Sequence, residues 1–314
     1  MIVALAGGVG GAKLARGLAA ILPPEELTIV VNTGDDFEHF GLNICPDIDS
    51  VIYTLAGLND PVRGWGLAGE SWQFMDAVRA LDGTAWFNLG DRDLATHVLR
   101  TQWLATDSLS VVTGRLAARL GVHHPIVPMS EEPVRLIVLT DAGELPFQRY
   151  FVDHKAQPRF RAIRFEGAEA ARPAPGVIAA LDSPSLRAIL LCPSNPWLSI
   201  APILAVPGIA AALRARRVPL VALSPFIGGE TVKGPAAKIM REVGSAPSPA
   251  ALAAHYGDLL DGLVVDRADG VSEPDASPAI LATDILMRDA QDSRRLAQEI
   301  VAFAARIGSG DRSR

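Results

Sequence analysis

Four glycines and a group of carboxylates, all within the first fifty residues, hold the chemistry that this chain can do. The run Gly7-Gly8-Val9-Gly10-Gly11-Ala12-Lys13 follows an apolar stretch, Ile2–Ala6, and precedes a helical pattern. A tight turn between strand and helix aims free backbone N–H groups and a helix N-terminus at one point, which favours an anion such as phosphate. Close by come Asn32-Thr33-Gly34-Asp35-Asp36 and Pro46-Asp47-Ile48-Asp49. Carboxylates repel a phosphate unless a divalent cation lies between them. Hard oxygen ligands beside phosphate oxygens suit Mg²⁺, which takes one or two carboxylates and fills its octahedron with water and phosphate. The pairing therefore predicts a metal-bridged phosphate site. Plainer readings exist for each part. The turn fits neither a Walker A loop, because it lacks the Gly-Lys-Ser/Thr ending, nor a dinucleotide fingerprint, because Lys13 stands at the position of the last glycine. Lys13 either reaches a phosphate as a point charge or is exposed on the first helical turn. Asp35 or Asp36 could bind a ribose in a nicotinamide fold. One of Asp47 and Asp49 could merely cap a helix, although a cap needs only one of them.

Three further segments present polar groups. In Asn88-Leu89-Gly90-Asp91-Arg92-Asp93-Leu94-Ala95-Thr96-His97, the four-residue spacing puts Asp93 and His97 on one helical face. This is either a salt-bridged helix start or a helix N-terminus facing a ligand. Pro193-Ser194-Asn195-Pro196 fixes the backbone with two prolines and presents a hydroxyl and an amide. Gly228-Gly229, followed by Lys233-Gly234-Pro235, forms a second glycine-rich junction. His123-His124 lacks the spaced partners of a zinc site. No nucleophile elbow is present, so acyl transfer has no support.

The elements that must position these groups alternate. Ile2–Ala6, Leu27–Val31, Ala188–Cys192, Pro219–Leu223 and Leu263–Asp266 read as buried strands, each followed by turn residues and a helical stretch. That repetition predicts an α/β, doubly wound, mainly parallel Rossmann-like sheet, whose ligands collect at the carboxyl ends of the strands. Residues 50–121 read as mostly helical, with patterns at Ser50–Ala56, Ser71–Leu81, Leu94–Leu104 and Leu109–Leu120. Residues 134–166 alternate around the turn signal Asp141-Ala142-Gly143. The domain expectation is thus a nucleotide- and phosphate-binding core, 1–49 with 186–314. The intervening 50–185 forms a helical insert with a small antiparallel patch that covers the site. Asp289–Ile307 reads as a closing helix and Gly308–Arg314 as a frayed end.

Bulk properties set the outer bounds. With 49% hydrophobic and 20% charged residues, the chain is ordinary for a globular protein. A net charge of −6 without a basic stripe argues against nucleic acid. No apolar run is long enough to span a bilayer, and the first strand lacks the basic flank of a signal peptide. Two cysteines are too few for a disulfide framework, which makes the reducing cytoplasm the expected location.

Taken in order, Gly-Gly-Val-Gly-Gly-Ala-Lys at 7–13, Asn-Thr-Gly-Asp-Asp at 32–36, Cys-Pro-Asp-Ile-Asp at 45–49, Gly-Asp-Arg-Asp-Leu-Ala-Thr-His at 90–97, Pro-Ser-Asn-Pro at 193–196 and Ser-Pro-Phe-Ile-Gly-Gly at 224–229 strongly resemble the 2-phospho-L-lactate transferase family of coenzyme F420 biosynthesis. The resemblance implies joining a phosphorylated three-carbon acid, from a guanosine-diphospho-activated donor, to the deazaflavin precursor Fo, with release of GMP and a requirement for Mg²⁺. It implies that Asp49 and the position of Asn88 contact Fo while the strand-end acids hold the metal. Some members carry lysine at the latter position, so Asn88 is a departure. Joined to the residue reading, this gives Asp35 and Asp49 as metal ligands. Asp36 or Asp47 then completes the shell through water or accepts the hydroxyl proton. Gly8, Gly10, Gly11 and Lys13 are expected on the diphosphate, Asp91 and Arg92 with Asn88 on the acceptor, and Ser194, Asn195, Gly228 and Gly229 on the guanosine. A homodimer is compatible with the sequence, which leaves open whether the acid is lactyl, enolpyruvyl or glyceryl. The competing functions are a non-catalytic nucleotide-binding regulator, disfavoured by the surplus acids, and a nicotinamide-dependent dehydrogenase, disfavoured by the missing third glycine.

Overall fold

The computed structural model describes residues 1–270 and 277–310. The last four residues of the expected frayed end, 311–314, lie outside them. In chain order the strands are β1 (Ile2–Ala6), β2 (Leu27–Val31), β3 (Phe37–His39), β4 (Leu42–Ile44), β5 (Ile126–Pro128), β6 (Arg135–Thr140), β7 (Gly143–Pro146), β8 (Phe160–Glu166), β9 (Ala188–Leu191), β10 (Leu220–Leu223), β11 (Phe226–Ile227), β12 (Glu230–Thr231), β13 (Gly262–Asp266) and β14 (Ala279–Thr283). The helices are α1 (Gly8–Ala19), α2 (Pro46–Leu55), α3 (Gln73–Ala80), α4 (Asp93–Trp103), α5 (Leu109–Arg119), α6 (Pro175–Leu181), α7 (Ala201–Ala205), α8 (Pro207–Ala215), α9 (Ala236–Glu242), α10 (Pro249–Tyr256) and α11 (Ala290–Gly308).

Seven strands form one sheet in the order β14-β13-β10-β9-β1-β2-β5, with every pairing parallel. Alternate residues feed two cores. Ile2, Ala4 and Ala6 face the layer of α1, α2, α5 and α11, while Val3 and Leu5 face the layer that includes α8, α9 and α10. This is the doubly wound architecture expected from the apolar runs. Numbered among themselves, the core strands run 3-2-1-4-5-6-7, so the strand order reverses between β1 and β9. Loops leaving those two strands diverge and open a crevice, which is where doubly wound sheets bind ligands.

The expected contiguous insert over 50–185 is corrected in one respect. Ile126–Pro128 falls inside it yet pairs with β2 as an edge strand of the core sheet. Three residues ending in proline give almost no periodicity, and an edge position tolerates the missing N–H. The opposite edge strand, β14, was likewise not among the expected strands. Within 50–185, α3, α4 and α5 are helical and β7-β6-β8 form the antiparallel patch with its turn at 141–143, but α5 packs on the core sheet beside α1 and α2. Among the described residues, no single helix is long and apolar enough to cross a membrane.

The closing helix packs directly on α1. A Cβ on Gly17 would collide with the backbone carbonyl of Ser293, so glycine is needed for the two helices to approach this closely. Gly17→Ala is expected to cost roughly 1–3 kcal/mol of stability through overpacking, measured as a lowered urea midpoint, with little change in ligand affinity. An unchanged midpoint would show that α11 slides freely at this crossing.

Candidate active site

Gly7 precedes α1 in extended backbone, and Gly8 opens the helix with φ of +65°, a conformation that favours glycine. The first-turn amides have no intrahelical partner. Two are satisfied from elsewhere: Gly7 N–H donates to Ser194 Oγ at 3.0 Å, and Gly8 N–H donates to Asp47 Oδ1 at 2.6 Å. A Cβ at Gly7 would strike Asp47 and Ser199, one at Gly10 the carbonyl of Pro193, and one at Gly11 Ser194 Oγ. The glycine run is therefore also a packing requirement. It lets α1 lie directly against the loop after β9.

Helix α2 begins at Pro46, earlier than its periodicity suggested, so Asp47 and Asp49 both sit inside its first turn. The cap position is Cys45, whose side chain makes no capping bond. That removes the reading of either acid as a simple cap. Two residues apart on a helix, the acids diverge. Asp47 points at the α1 N-terminus and accepts from Asn32 Nδ2 at 2.8 Å. Asp49 points to α4, where the fully buried guanidinium of Arg100 takes both of its oxygens, Nη1 to Oδ2 at 3.1 Å and Nη2 to Oδ1 in a short contact. Asp35, at the end of β2, accepts from Asn32 Nδ2 at 3.2 Å and from Gln148 Nε2 at 3.3 Å. Amide groups alone serve it. No cationic side chain bonds to Asp35 or Asp47 among the described residues.

All three acids line one cavity of about 390 Å³ at the switch point. Its walls include Gly8 and Gly10 from the glycine turn, Ser194 and Asn195 from the loop after β9, and Phe87, Asn88 and Phe151 from the insert. Arg63 and Lys233 stand at the wall as cations, and Lys233 Nζ donates to the Arg63 carbonyl at 3.0 Å, tying the two halves of the chain together. Burial pushes the Asp47 carboxyl up to about 6, against the pull of Asn32 and Gly8. Asp35 is raised well above the usual range by burial and then by the charges of Asp47 and Asp36. Asp49 is raised by burial and held back by Arg100. Such a group is short of positive charge. Its hard oxygens fit Mg²⁺, and Asp35 with Asp47 is the pair still lacking a cation.

Other expected residues lie elsewhere. Asp36 borders a neighbouring cavity of about 610 Å³, which also includes His39, Trp86 and Arg149 and is separated from the first by Asp35, Phe147 and Gln148. Burial lifts its carboxyl to about 7. Lys13 turns from the turn it follows and donates to the Met287 carbonyl at 2.8 Å. Gly11 is sealed against Ser194. Asp91 ties a surface loop, accepting from Ser71 Oγ and the amides of Gln73 and Phe74, and Arg92 binds the Ala68 carbonyl. Gly229 N–H is occupied by Asp269, and of the loop after β10 it is Pro225 that reaches the cavity. Asn195 Oδ1 accepts from the amides of Trp197 and Leu198, closing a structural turn, while the residue still lines the cavity. Asn88 lines it too, and its Oδ1 is held by Arg79.

Several site residues were missed from sequence. Arg100 was legible in principle, because Asp93, His97 and Arg100 follow the spacing of one helical face. Asn32 stood within a quoted motif but was given no role. Lys233 likewise stood within the quoted glycine-rich junction without a role of its own, whereas Gln148 carries no local signal, since only folding brings it to the cavity.

Similarity to known proteins gives the family. A family model described as 2-phospho-L-lactate transferase CofD matches residues 2–300. The chain is 43% identical to a phosphoenolpyruvate transferase of Kitasatospora aureofaciens, covering 98% of this chain and 99% of that one. It is 38% identical to a 2-phospho-L-lactate transferase of Methanopyrus kandleri, covering 98% of each. In fold it resembles a solved protein of the UPF0052 family from Bacillus halodurans, with a TM-score of 0.61 at 16% identity, over 96% of this chain and 98% of that one. With nearly its whole length matched, the chain belongs to the 2-phospho-L-lactate transferase family.

Proposed function

We propose that this transferase moves a phosphorylated three-carbon acid from a guanosine-diphospho-activated donor to the terminal ribityl hydroxyl of Fo, releasing GMP in a Mg²⁺-dependent reaction. The observation that supports this reading best is one cavity lined by Asp35, Asp47 and Asp49 together with the glycine turn and Asn195 of the core and Phe87 and Asn88 of the insert. A donor held by the former and an acceptor held by the latter would share that cavity with the acids. The acid is proposed to be enolpyruvyl, because the relatives at 43%, 42% and 41% identity carry the name phosphoenolpyruvate transferase.

Phosphoryl transfer needs positioning and charge neutralisation more than covalent help from the protein. Mg²⁺, when bound, supplies the neutralising charge on the phosphate oxygens. Asp35 and Asp47 would hold it, with Asn32 keeping the two carboxylates in place from behind. The expectation of Asp35 with Asp49 is changed here because Arg100 already serves Asp49. Asp49 instead accepts a hydrogen bond from the attacking hydroxyl and orients it. The α1 N-terminus, Arg63 and Lys233 offset the negative charge of the donor. Asn195 and Ser194 border the guanosine side, and Phe87 and Phe151 offer apolar surface to the deazaflavin ring.

Incubating the protein with Fo, Mg²⁺ and each guanylylated acid, then weighing the products, tests the reading. The expected outcome is GMP release with the enolpyruvyl product, lighter by two hydrogens than the lactyl one. GMP release without any adduct of Fo would sink the acceptor assignment.

Metal titration separates the acids. Asp47→Asn is expected to lower turnover by about 10²–10³-fold and to raise the Mg²⁺ concentration needed for half activity, whereas Asp49→Asn lowers turnover alone. Equal Mg²⁺ requirements in the two variants would return Asp49 to the metal.

The raised carboxyls also predict how the metal-free protein responds to pH. Asp47 releases its proton near 6 when folded and at a lower pH when unfolded, so the folded chain binds more protons between those values. Its stabilising contribution is full below the unfolded value and is lost as pH rises through about 6. In EDTA the thermal midpoint should fall across that window, and Asp47→Asn should flatten the fall. A variant that follows the parent at every pH would rule out this linkage.

A further inference from the structure

One charged side chain in the wall behind the acids has had no part in the reaction so far. Arg100 is the bulkiest of the fully buried side chains among the described residues, 1% exposed. A buried guanidinium is tolerated only where its donors are matched. Here Nη1 donates to Asp49 Oδ2 at 3.1 Å and to the Asn43 carbonyl at 3.3 Å, and lies 3.2 Å from His97 Nδ1, while Nη2 donates to Asp49 Oδ1. A guanidinium can only donate, so His97 Nδ1 must accept and the ring proton belongs on Nε2. That nitrogen faces Asp93 Oδ2 at 3.3 Å, out of line for a good hydrogen bond. Asp93 Oδ1 in turn accepts from the Tyr53 hydroxyl at 2.5 Å.

Two consequences follow. With Nδ1 accepting from Arg100 and the ring proton on Nε2, His97 has no free lone pair with which to take a proton from a substrate. Asp49, Asp93 and His97 do offer ligand atoms within 4.8 Å of one another, the spacing of a metal cluster. Arg100 supplies positive charge to that cluster from within the protein.

We propose that Arg100 is a positioning residue for the transfer: as the resident cation of the Asp49–His97–Asp93 cluster, it fixes the Asp49 carboxylate in one orientation on the cavity wall. Asp49 then meets the acceptor hydroxyl and leaves the metal to Asp35 and Asp47. This rests on the transferase reading above. It concerns α4, an insert helix, reaching into the core site, and the planar fork of arginine is what holds two oxygens at once.

The test uses the full chain with Arg100→Lys, Arg100→Gln, Asp49→Asn and the double variant Asp49→Asn/Arg100→Gln. Turnover, both Michaelis constants, the Mg²⁺ requirement and the thermal midpoint are read for each. Arg100→Lys keeps the charge but loses the fork, and is expected to lower turnover about 10- to 100-fold while leaving the Mg²⁺ requirement within about threefold. The double variant, which leaves neither Asp49 nor Arg100 as an unpaired charge even if Arg100→Gln alone fails to fold, should turn over no more slowly than Asp49→Asn. A purely structural brace would lower the midpoint, spare turnover per folded molecule and give additive losses in the double variant. Parent-like turnover in Arg100→Lys, additive losses, or a Mg²⁺ requirement that rises in Arg100→Lys would each overturn the proposal. A parent protein with no turnover on any donor would instead overturn the transferase reading itself.

Discussion

The site is governed by one electrostatic constraint: three carboxylates are buried at the switch point of a parallel sheet, and among the described residues a guanidinium bonds to only one of them. Asp49 has Arg100, Asp47 has the amide of Gly8 and Asn32, and Asp35 has amides alone. Burying an acid without a cation pushes it toward the neutral form. A fold selected for stability alone would replace such groups with apolar side chains of similar size. Carboxylates left short of positive charge at a ligand crevice are what the proposed cation-dependent phosphate site would use.

This constraint explains local features that otherwise look unrelated. The glycines at 7, 10 and 11 allow α1 to approach Asp47 and the Pro193–Ser199 segment, so the helix N-terminus can face an acid as well as an anion. Asn32 lies immediately after β2 and bonds to two carboxylates at once, keeping Asp35 and Asp47 apart yet on the same cavity. Pro46 starts α2 early enough to bring both of its acids into the first turn, where the helix dipole favours negative charge.

The insert is equally bound to the chemistry. Helix α4 sends Arg100 to Asp49 of α2, and Phe87 and Asn88 line the same cavity. The contact between Lys233 and the Arg63 carbonyl joins the insert to the second half of the chain over the same cavity. In the proposed reaction the core would supply the anion-binding backbone and the metal-binding acids, and the insert would supply Arg63, Arg100 and the apolar surface of Phe87 and Phe151.

The sequence by itself determined the class of the fold and the family. Near-continuous apolar strands can only be buried on both faces of a parallel sheet, and β1 and β2 occupy the very residues that their apolar runs marked. It also marked the acids, because a glycine turn and clustered carboxylates are local features. It did not reveal β5, whose three residues are too few to show a period, nor did it say which acid is paired. Pairing depends on groups tens of residues apart: Arg100 lies 51 positions from Asp49, and Gln148 lies 113 from Asp35. Lys13, Asp91, Arg92, Gly228 and Gly229 looked chemical in sequence, but none of them reaches the cavity. Side-chain direction is set by packing, and only the tertiary structure decided which polar groups face a ligand and which satisfy the backbone.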